Sequence, residues 1–381
     1  MERNYISWND ALEIVSKDTS INLFSKVVTL WNALSLDALI MSLQSKGYII
    51  KAYVVIAEHF SAGYLIDESC FVNQCSRFAY LPSKGKDSDA EIAVPNISIK
   101  DYYKFILSKK SSQNPLLYAY YNHTVPAALY PLSLEPVLNR TVIPCQIEEG
   151  VGAYMGTFDK TYPSFFQIRS LGEFRIYIRY SFVGGLIYKL LHPTYNSLTL
   201  RSSLTGLKVN KEILPYYRQI FEQRNSSIES QIDRKIMSKS IVICTVGWRR
   251  NEIQENEDFR VLKLVCDYLH AQGHHLFLKP HPRDSFFETQ LETLHCDLLK
   301  VTGLTMESLC AQCQPKAIIS FSSTTLINPK IFWNVPTYCV AGMLQRDKLS
   351  EIYVDEIDSF KRTFRNFVEF PKDVSEMSNI I

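Results

Sequence analysis

The sequence has no run of about 18 apolar residues, the length a helix needs to cross a bilayer, so no spanning segment is expected. Its first residues, Met1-Glu2-Arg3-Asn4-Tyr5, lack the apolar stretch behind a basic start that marks a secretory signal. Charge of one sign is also missing. Lys and Arg total 41 against 39 Asp and Glu, a net +2, and the pairs Lys109-Lys110 and Arg249-Arg250 are too short to line a groove. A nucleic-acid partner held by a basic surface is therefore excluded. Neither a GxGxxG pattern nor a Walker lysine occurs, which excludes a standard dinucleotide site and an ATP P-loop. The nine cysteines run from Cys70 to Cys339 without a dense framework, which points to a reducing compartment and buried thiols. One CxxC, Cys310-Ala311-Gln312-Cys313, has no second CxxC or nearby His pair to complete a zinc set, and it falls in a predicted helix.

What is present is a long alternation of strands and helices. A chain of 381 residues is enough for two or three domains. Its 22 Tyr and 21 Phe suit either sugar-binding clefts or half-buried packing. In the first half, strands are predicted at Lys26–Leu30, Tyr48–Ile56, Leu116–Tyr121 and Arg140–Ile147, with helices at Asn32–Lys46, stopped by Gly47, and near Asp101–Lys110. Pro144 marks the fourth strand as an edge or a bulge.

A second series begins at Ser240. Strands are predicted at Ser240–Val246, His275–Lys279, Leu298–Val301, Lys316–Phe321 and Thr337–Val340. Between them come helices at Asp258–Gln272, stopped by Gly273, near Ser285–Leu294, at Met306–Cys313, and after Thr325. Such alternation is the mark of Rossmann-like α/β sheets. The polar segment Lys211–Lys235 reads as a helical hinge, which divides the chain into residues 1–225 and 226–381. The final stretch, Ser350–Ile381, is expected to be helical and to cross back to the first domain by architectural analogy. Arg175–Leu191 comes closest to a membrane element, but Arg179, Lys189 and a Gly pair suit a buried element or at most a surface-bound helix.

Ligands of such sheets bind beyond the carboxyl ends of the strands, and three loops there carry chemistry. Glu148-Glu149-Gly150 follows the strand Arg140–Ile147. Mutual repulsion raises the pKa of at least one acid, so that it can take a proton from a hydroxyl, while Gly150 lets the backbone approach a ligand. The same residues also fit an acidic surface turn. Lys279-Pro280-His281-Pro282 follows the strand His275–Lys279, and prolines on both sides make a rigid mount for one imidazole. That His suits a general acid, a donor to phosphate, or a structural turn. Ser322-Ser323-Thr324-Thr325 opens a helix, where hydroxyls and free N–H groups serve either a ligand anion or a simple cap.

In order and placement, the acidic pair with Gly150, His281-Pro282 and Ser322-Ser323 resemble the motifs of the bacterial sialyltransferases. They resemble in particular the capsular polysialyltransferases and the related lipooligosaccharide sialyltransferases. The resemblance implies a GT-B fold, two Rossmann-like domains facing across a cleft, with residues 1–225 on the acceptor side and 226–381 binding the nucleotide sugar. It implies CMP-sialic acid, or a related CMP-activated nonulosonic acid, as donor and a surface glycan as acceptor. Transfer would invert the anomeric carbon without a metal or other cofactor, the CMP-sugar being a substrate. Carried over by position, Glu149 or Glu148 is the base, His281 assists the departing phosphate, and Ser322 and Ser323 hold it, with Gly150, Lys279, Pro282 and Thr324 lining the substrate. The expected location is the cytoplasm, at the inner face of the membrane, with peripheral association. Two features depart from the family: both acids are Glu, and Thr245–Arg250 is unusually basic and aromatic, so that Arg249 or Arg250 meets an anionic substrate or is solvated charge. The loop Trp31–Ser35 is a further acceptor contact on this view. Two other readings remain: a CDP-polyol phosphotransferase of surface-polymer synthesis, and a non-catalytic glycan- or nucleotide-binding protein on the same scaffold.

Overall fold

The computed structural model describes residues 3–57, 66–82, 115–120, 134, 137–147, 214–224, 233–245, 252–281, 292–299 and 305–380. Two units divide between Tyr217 and Arg218. In the first, Ser7 and Asp10 cap each other to start α1 (Trp8–Lys17), whose Trp8, Ala11, Leu12 and Val15 recur at helical spacing and are all buried. Next come β1 (Leu23–Val27), α2 (Leu30–Ser45), β2 (Ala52–Ala57), β3 (Ser76–Leu81), β4 (Leu116–Tyr120) and β5 (Val142–Gln146). The strands form one parallel sheet in the order β3-β2-β1-β4-β5. Phe24 lies at its centre, with ring centroids 5.3 Å from Trp8 and 5.6 Å from Tyr118.

Among the strand limits that differ from expectation, two have clear local reasons. β1 ends at Val27 because Thr29 caps α2 and Asn32 accepts back from the N–H groups of Val28 and Thr29. β2 begins only at Ala52. The N–H groups of Gly47 and Tyr48 turn back to Gln44 and Leu43, a Schellman closure that needs the positive φ of Gly47, and Tyr48 and Ile49 are left exposed. Pro144 stands on β5, the last strand of the described sheet, opposite Tyr118. An edge strand tolerates its missing N–H.

α3 (Leu214–Arg224) spans the division. Within the first unit Tyr217 stacks on Trp31 and its hydroxyl donates to Ser35 across 2.9 Å. Within the second, Phe221 meets Phe332 and Trp333. The second unit then runs through α4 (Arg234–Met237), β6 (Ile241–Cys244), α5 (Glu257–Ala271), β7 (Leu276–Lys279), β8 (Asp297–Leu298), α6 (Met306–Cys313), β9 (Ala317–Ser320), α7 (Thr324–Trp333), β10 (Thr337–Cys339) and α8 (Glu351–Phe364). Gly273 closes α5 as Gly47 closes α2, with N–H bonds from Gly273 and His274 to His270 and Leu269.

This sheet is parallel in the order β10-β9-β6-β7-β8. The chain moves outward from β6 through β7 to β8, then returns to the other side of β6 for β9 and β10. The reversal between β6 and β9 is the switch point where open α/β sheets leave a crevice for ligands. The described C-terminal residues belong to this unit, and the turn Val374–Ile380 packs against α5. Among the described residues, no helix is long and apolar enough to cross a membrane.

Candidate active site

The site is built at the carboxyl ends of β6, β7 and β9. β6 is apolar and fully buried, and Thr245 follows it with 4% exposure. The N–H of Thr245 donates to the carbonyl of Lys279 at 3.3 Å, and its hydroxyl accepts the N–H of His281 at 2.8 Å. The backbone of the Lys279–His281 segment is thus held to the strand beside it, which adds to the restriction that Pro280 places on the chain.

On the other side of β6, the hydroxyl of Ser320 donates to the carbonyl of Cys244 at 3.0 Å. The Cys244 thiol is wholly buried, and burial pushes it up to about 11, against the opposing influence of the Lys279 charge and a hydrogen bond with the Thr325 side chain. Thr325 also reaches Ser323: its N–H and hydroxyl donate to Ser323 Oγ at 3.3 and 3.0 Å. Ser323 is the extended residue that caps α7, and Thr324 is the first residue of that helix. Ser322 is almost fully buried and donates to Glu356 Oε1 on α8 at 3.4 Å. Close by in sequence, buried Glu307 on α6 accepts from Asn328 on α7 at 2.7 Å.

Of the predicted site residues, Lys279, His281, Ser322, Ser323 and Thr324 all stand at ends of the strands flanking β6. Glu148, Glu149, Gly150 and Pro282 lie outside the described residues, as do Trp248, Arg249, Arg250 and the segment 175–191. Asn32, Ala33, Leu34 and Ser35 are buried inside the first unit, so the expectation that this loop meets an acceptor gives way to a packing and capping role. The CxxC lies on α6 as predicted, with burial driving the Cys310 thiol well above its ordinary value and the Cys313 thiol to about 11. Thr245 and Glu356 carried no weight in the sequence. Thr245 is one threonine after an apolar run, and nothing local announces that Glu356 lies against a loop 34 positions away.

The alpha-2,8-polysialyltransferase family matches residues 90–341, more than half of the chain. The chain belongs to that family. As a member of the polysialyltransferase family it is a glycosyltransferase that works with sialic acid, and each of its two described units is a parallel sheet of the α/β class. No curated protein sequence matches it significantly. Among solved structures, the polysialyltransferase-family chain is similar to the alpha/beta-galactoside alpha-2,3-sialyltransferase of Photobacterium phosphoreum, with 10% identity and TM-score 0.44 over 94% of this chain and 99% of that one. It is also similar to a sialyltransferase from Photobacterium damsela, at 13% identity and TM-score 0.42 over 92% and 81%. A third likeness is to the wall teichoic acid polymerase TagF, at 10% identity and TM-score 0.44 over 97% and 83%.

Proposed function

We propose that the protein transfers sialic acid, or a related nonulosonic acid, from a CMP-activated donor to a surface glycan, with inversion and without a catalytic metal. The observation that carries this reading is the pair of ties on the end of β6. Thr245 holds the His281 backbone on one side, and Cys244 meets Thr325, and through it Ser323, on the other. An imidazole and a set of hydroxyls therefore stand on the two strands that flank a single switch point, an arrangement suited to one phosphate rather than a long anionic chain.

In the proposed reaction an acceptor hydroxyl attacks the anomeric carbon as the bond from that carbon to the CMP phosphate oxygen breaks. Glu149, or Glu148, takes the hydroxyl proton. His281 donates a hydrogen bond or a proton to the departing phosphate, and the Ser322–Thr324 loop with the N-terminus of α7 receives its charge. Attack from the face opposite the leaving group inverts the carbon. The first unit would supply the acceptor side and the second the nucleotide. The same reading places the enzyme in the cytoplasm, acting at the inner face of the membrane.

Release of CMP from CMP-sialic acid tests the proposal. Wild type should turn over, and His281→Ala and Glu149→Ala should each lower the rate by about 100-fold or more, the scale of lost acid–base catalysis. Release of CMP from CDP-glycerol instead, or CMP binding with no turnover on any acceptor, overturns the reading.

A further inference from the structure

We propose that Glu356 is a positioning residue for the phosphate-binding loop: it takes the hydroxyl hydrogen of Ser322, and so leaves Ser323 and Thr324 as the hydroxyls that donate to the donor phosphate. The inference rests on the CMP-donor reading above and extends it to a residue outside all three motifs.

A hydroxyl has one hydrogen to give and two lone pairs to accept with. The four hydroxyls of the loop can therefore be accounted for one at a time. Ser322 is 1% exposed and Glu356 4%, and the Ser322 hydrogen is directed at the carboxylate 3.4 Å away. While that bond stands, Ser322 offers only lone pairs to its surroundings, which repel a phosphate oxygen. Thr325 is likewise committed, since its hydroxyl donates to Ser323 and bonds with the Cys244 thiol. Ser323 accepts twice, from the N–H and the hydroxyl of Thr325. Both of its acceptor positions are filled, and its own hydrogen meets no acceptor among the described residues. The Thr324 hydroxyl has no hydrogen-bond partner among them either. Two donors thus remain, both half-buried at the start of α7, where the helix dipole also favours an anion.

The carboxylate that produces this arrangement comes from the middle of α8, anchored by the fully buried Tyr353 and Phe360 on either side of it in sequence. A buried acid needs hydrogen-bonding partners, and Ser322 is one of them. Without the bond, whichever partner is removed, the loop loses its tie to α8 and the donors at the start of α7 lose their placing.

The test is a set of variants measured for CMP affinity by calorimetry, for the KM and kcat of CMP-sialic acid, and for Tm. Ser322→Ala and Glu356→Ala should each weaken CMP binding about tenfold, the size expected for a hydrogen bond to a charged group. The double variant should lose no more than either single one, because both remove the same link. Glu356→Gln, whose amide oxygen still accepts, should stay within about twofold of wild type, since the bond is kept. Ser323→Ala should raise the KM for the donor whether or not Glu356 is present.

A packing role alone would lower the Tm of Glu356→Ala and leave CMP affinity unchanged, and that result overturns the inference. Losses that add in the double variant overturn it as well. Should Glu356→Ala fail to fold, the comparison of Ser322→Ala with Ser322→Ala/Glu356→Gln takes its place, equal affinities being expected and a further loss refuting the link. Wild type that binds no CMP at all overturns the donor reading and this inference together. Wild type that binds CMP while the variant losses add overturns the inference alone.

Discussion

The hydroxyl of Thr245 accepts the backbone N–H of His281 across 2.8 Å, so that the end of one strand holds the imidazole carried by the next. The bond is made to the main chain of His281 and not to its ring.

Replacing Thr245 with Val keeps the side-chain shape and removes the acceptor. His281 then has an N–H without its partner, and its backbone is less restrained. We expect stability to fall by about 1–2 kcal/mol and sialyl transfer by about tenfold, the effect of one lost buried hydrogen bond. Thr245→Ser, which keeps the hydroxyl, should recover most of the transfer rate. Steady-state kinetics and thermal melting of the three proteins decide the matter, and a Val variant with wild-type turnover would refute the positioning role.

Glu257 predicts how the second unit responds to acid. The Arg260 side chain donates to both of its carboxylate oxygens at 2.6 and 2.7 Å, and the Gln345 N–H adds a third bond at 2.8 Å. Hydrogen bonding from Arg260, chiefly, holds its pKa below the ordinary 4.5. A carboxyl with a depressed folded-state pKa contributes stability that is full above the ordinary value and disappears as pH falls through the depressed one. Wild-type Tm should therefore exceed that of Glu257→Gln at pH 7, and the two should converge only once the pH has fallen below the ordinary carboxylate range and the carboxylate takes up its proton. A constant gap from neutral to acid pH would show that the carboxylate charge is not what stabilises α5.

Burial, not sequence spacing, governs the thiols. Cys244, Cys310 and Cys339 are all but inaccessible, and burial lifts the Cys339 thiol to about 12. At pH 8 these three should resist iodoacetamide in the native protein and react once it is unfolded, while half-buried Cys70, Cys75 and Cys296 should be modified before them. Peptide mass spectrometry reads each site separately. Native labelling of Cys310 would contradict its placement on the inner face of α6.

The centre of the first unit should be sensitive to a single aromatic. Phe24 has no exposed surface and touches Trp8, Tyr53 and Tyr118. Phe24→Ala should destabilise the unit by about 3–5 kcal/mol, the usual effect of deleting a buried ring. Denaturant unfolding gives the figure, and a loss under about 1 kcal/mol would mean the sheet has no continuous core at that point.

Much of this structure is decided within a few residues of chain. Gly47 and Gly273 end their helices because each adopts a positive φ that other side chains resist, and Met306–Cys313 is helical over the span its sequence suggests. Pro144 lacks an N–H, which limits its strand to an edge or a bulge, and β5 is the last strand of the described sheet. The His-Pro motif stands out in the sequence because its prolines restrict the backbone, and the Ser/Thr run because its hydroxyls open a helix, which Ser323 caps. Strand limits are less legible, since capping by Thr29 and the closure at Gly47 outweigh the β-branched runs beside them.

Other features depend on residues far apart in sequence. That β6 lies between β7 and β9, with the switch point at its side, follows from which apolar faces can be buried together, and no local pattern states it. Thr245 becomes the partner of His281, and Glu356 that of Ser322, only once that strand order and the packing of α8 are in place. The amino-acid sequence by itself determined the elements, their stops and the chemical groups available. The tertiary structure alone decided which hydroxyls are committed and which are left to donate, because a hydroxyl's single hydrogen goes to whatever acceptor folding brings against it.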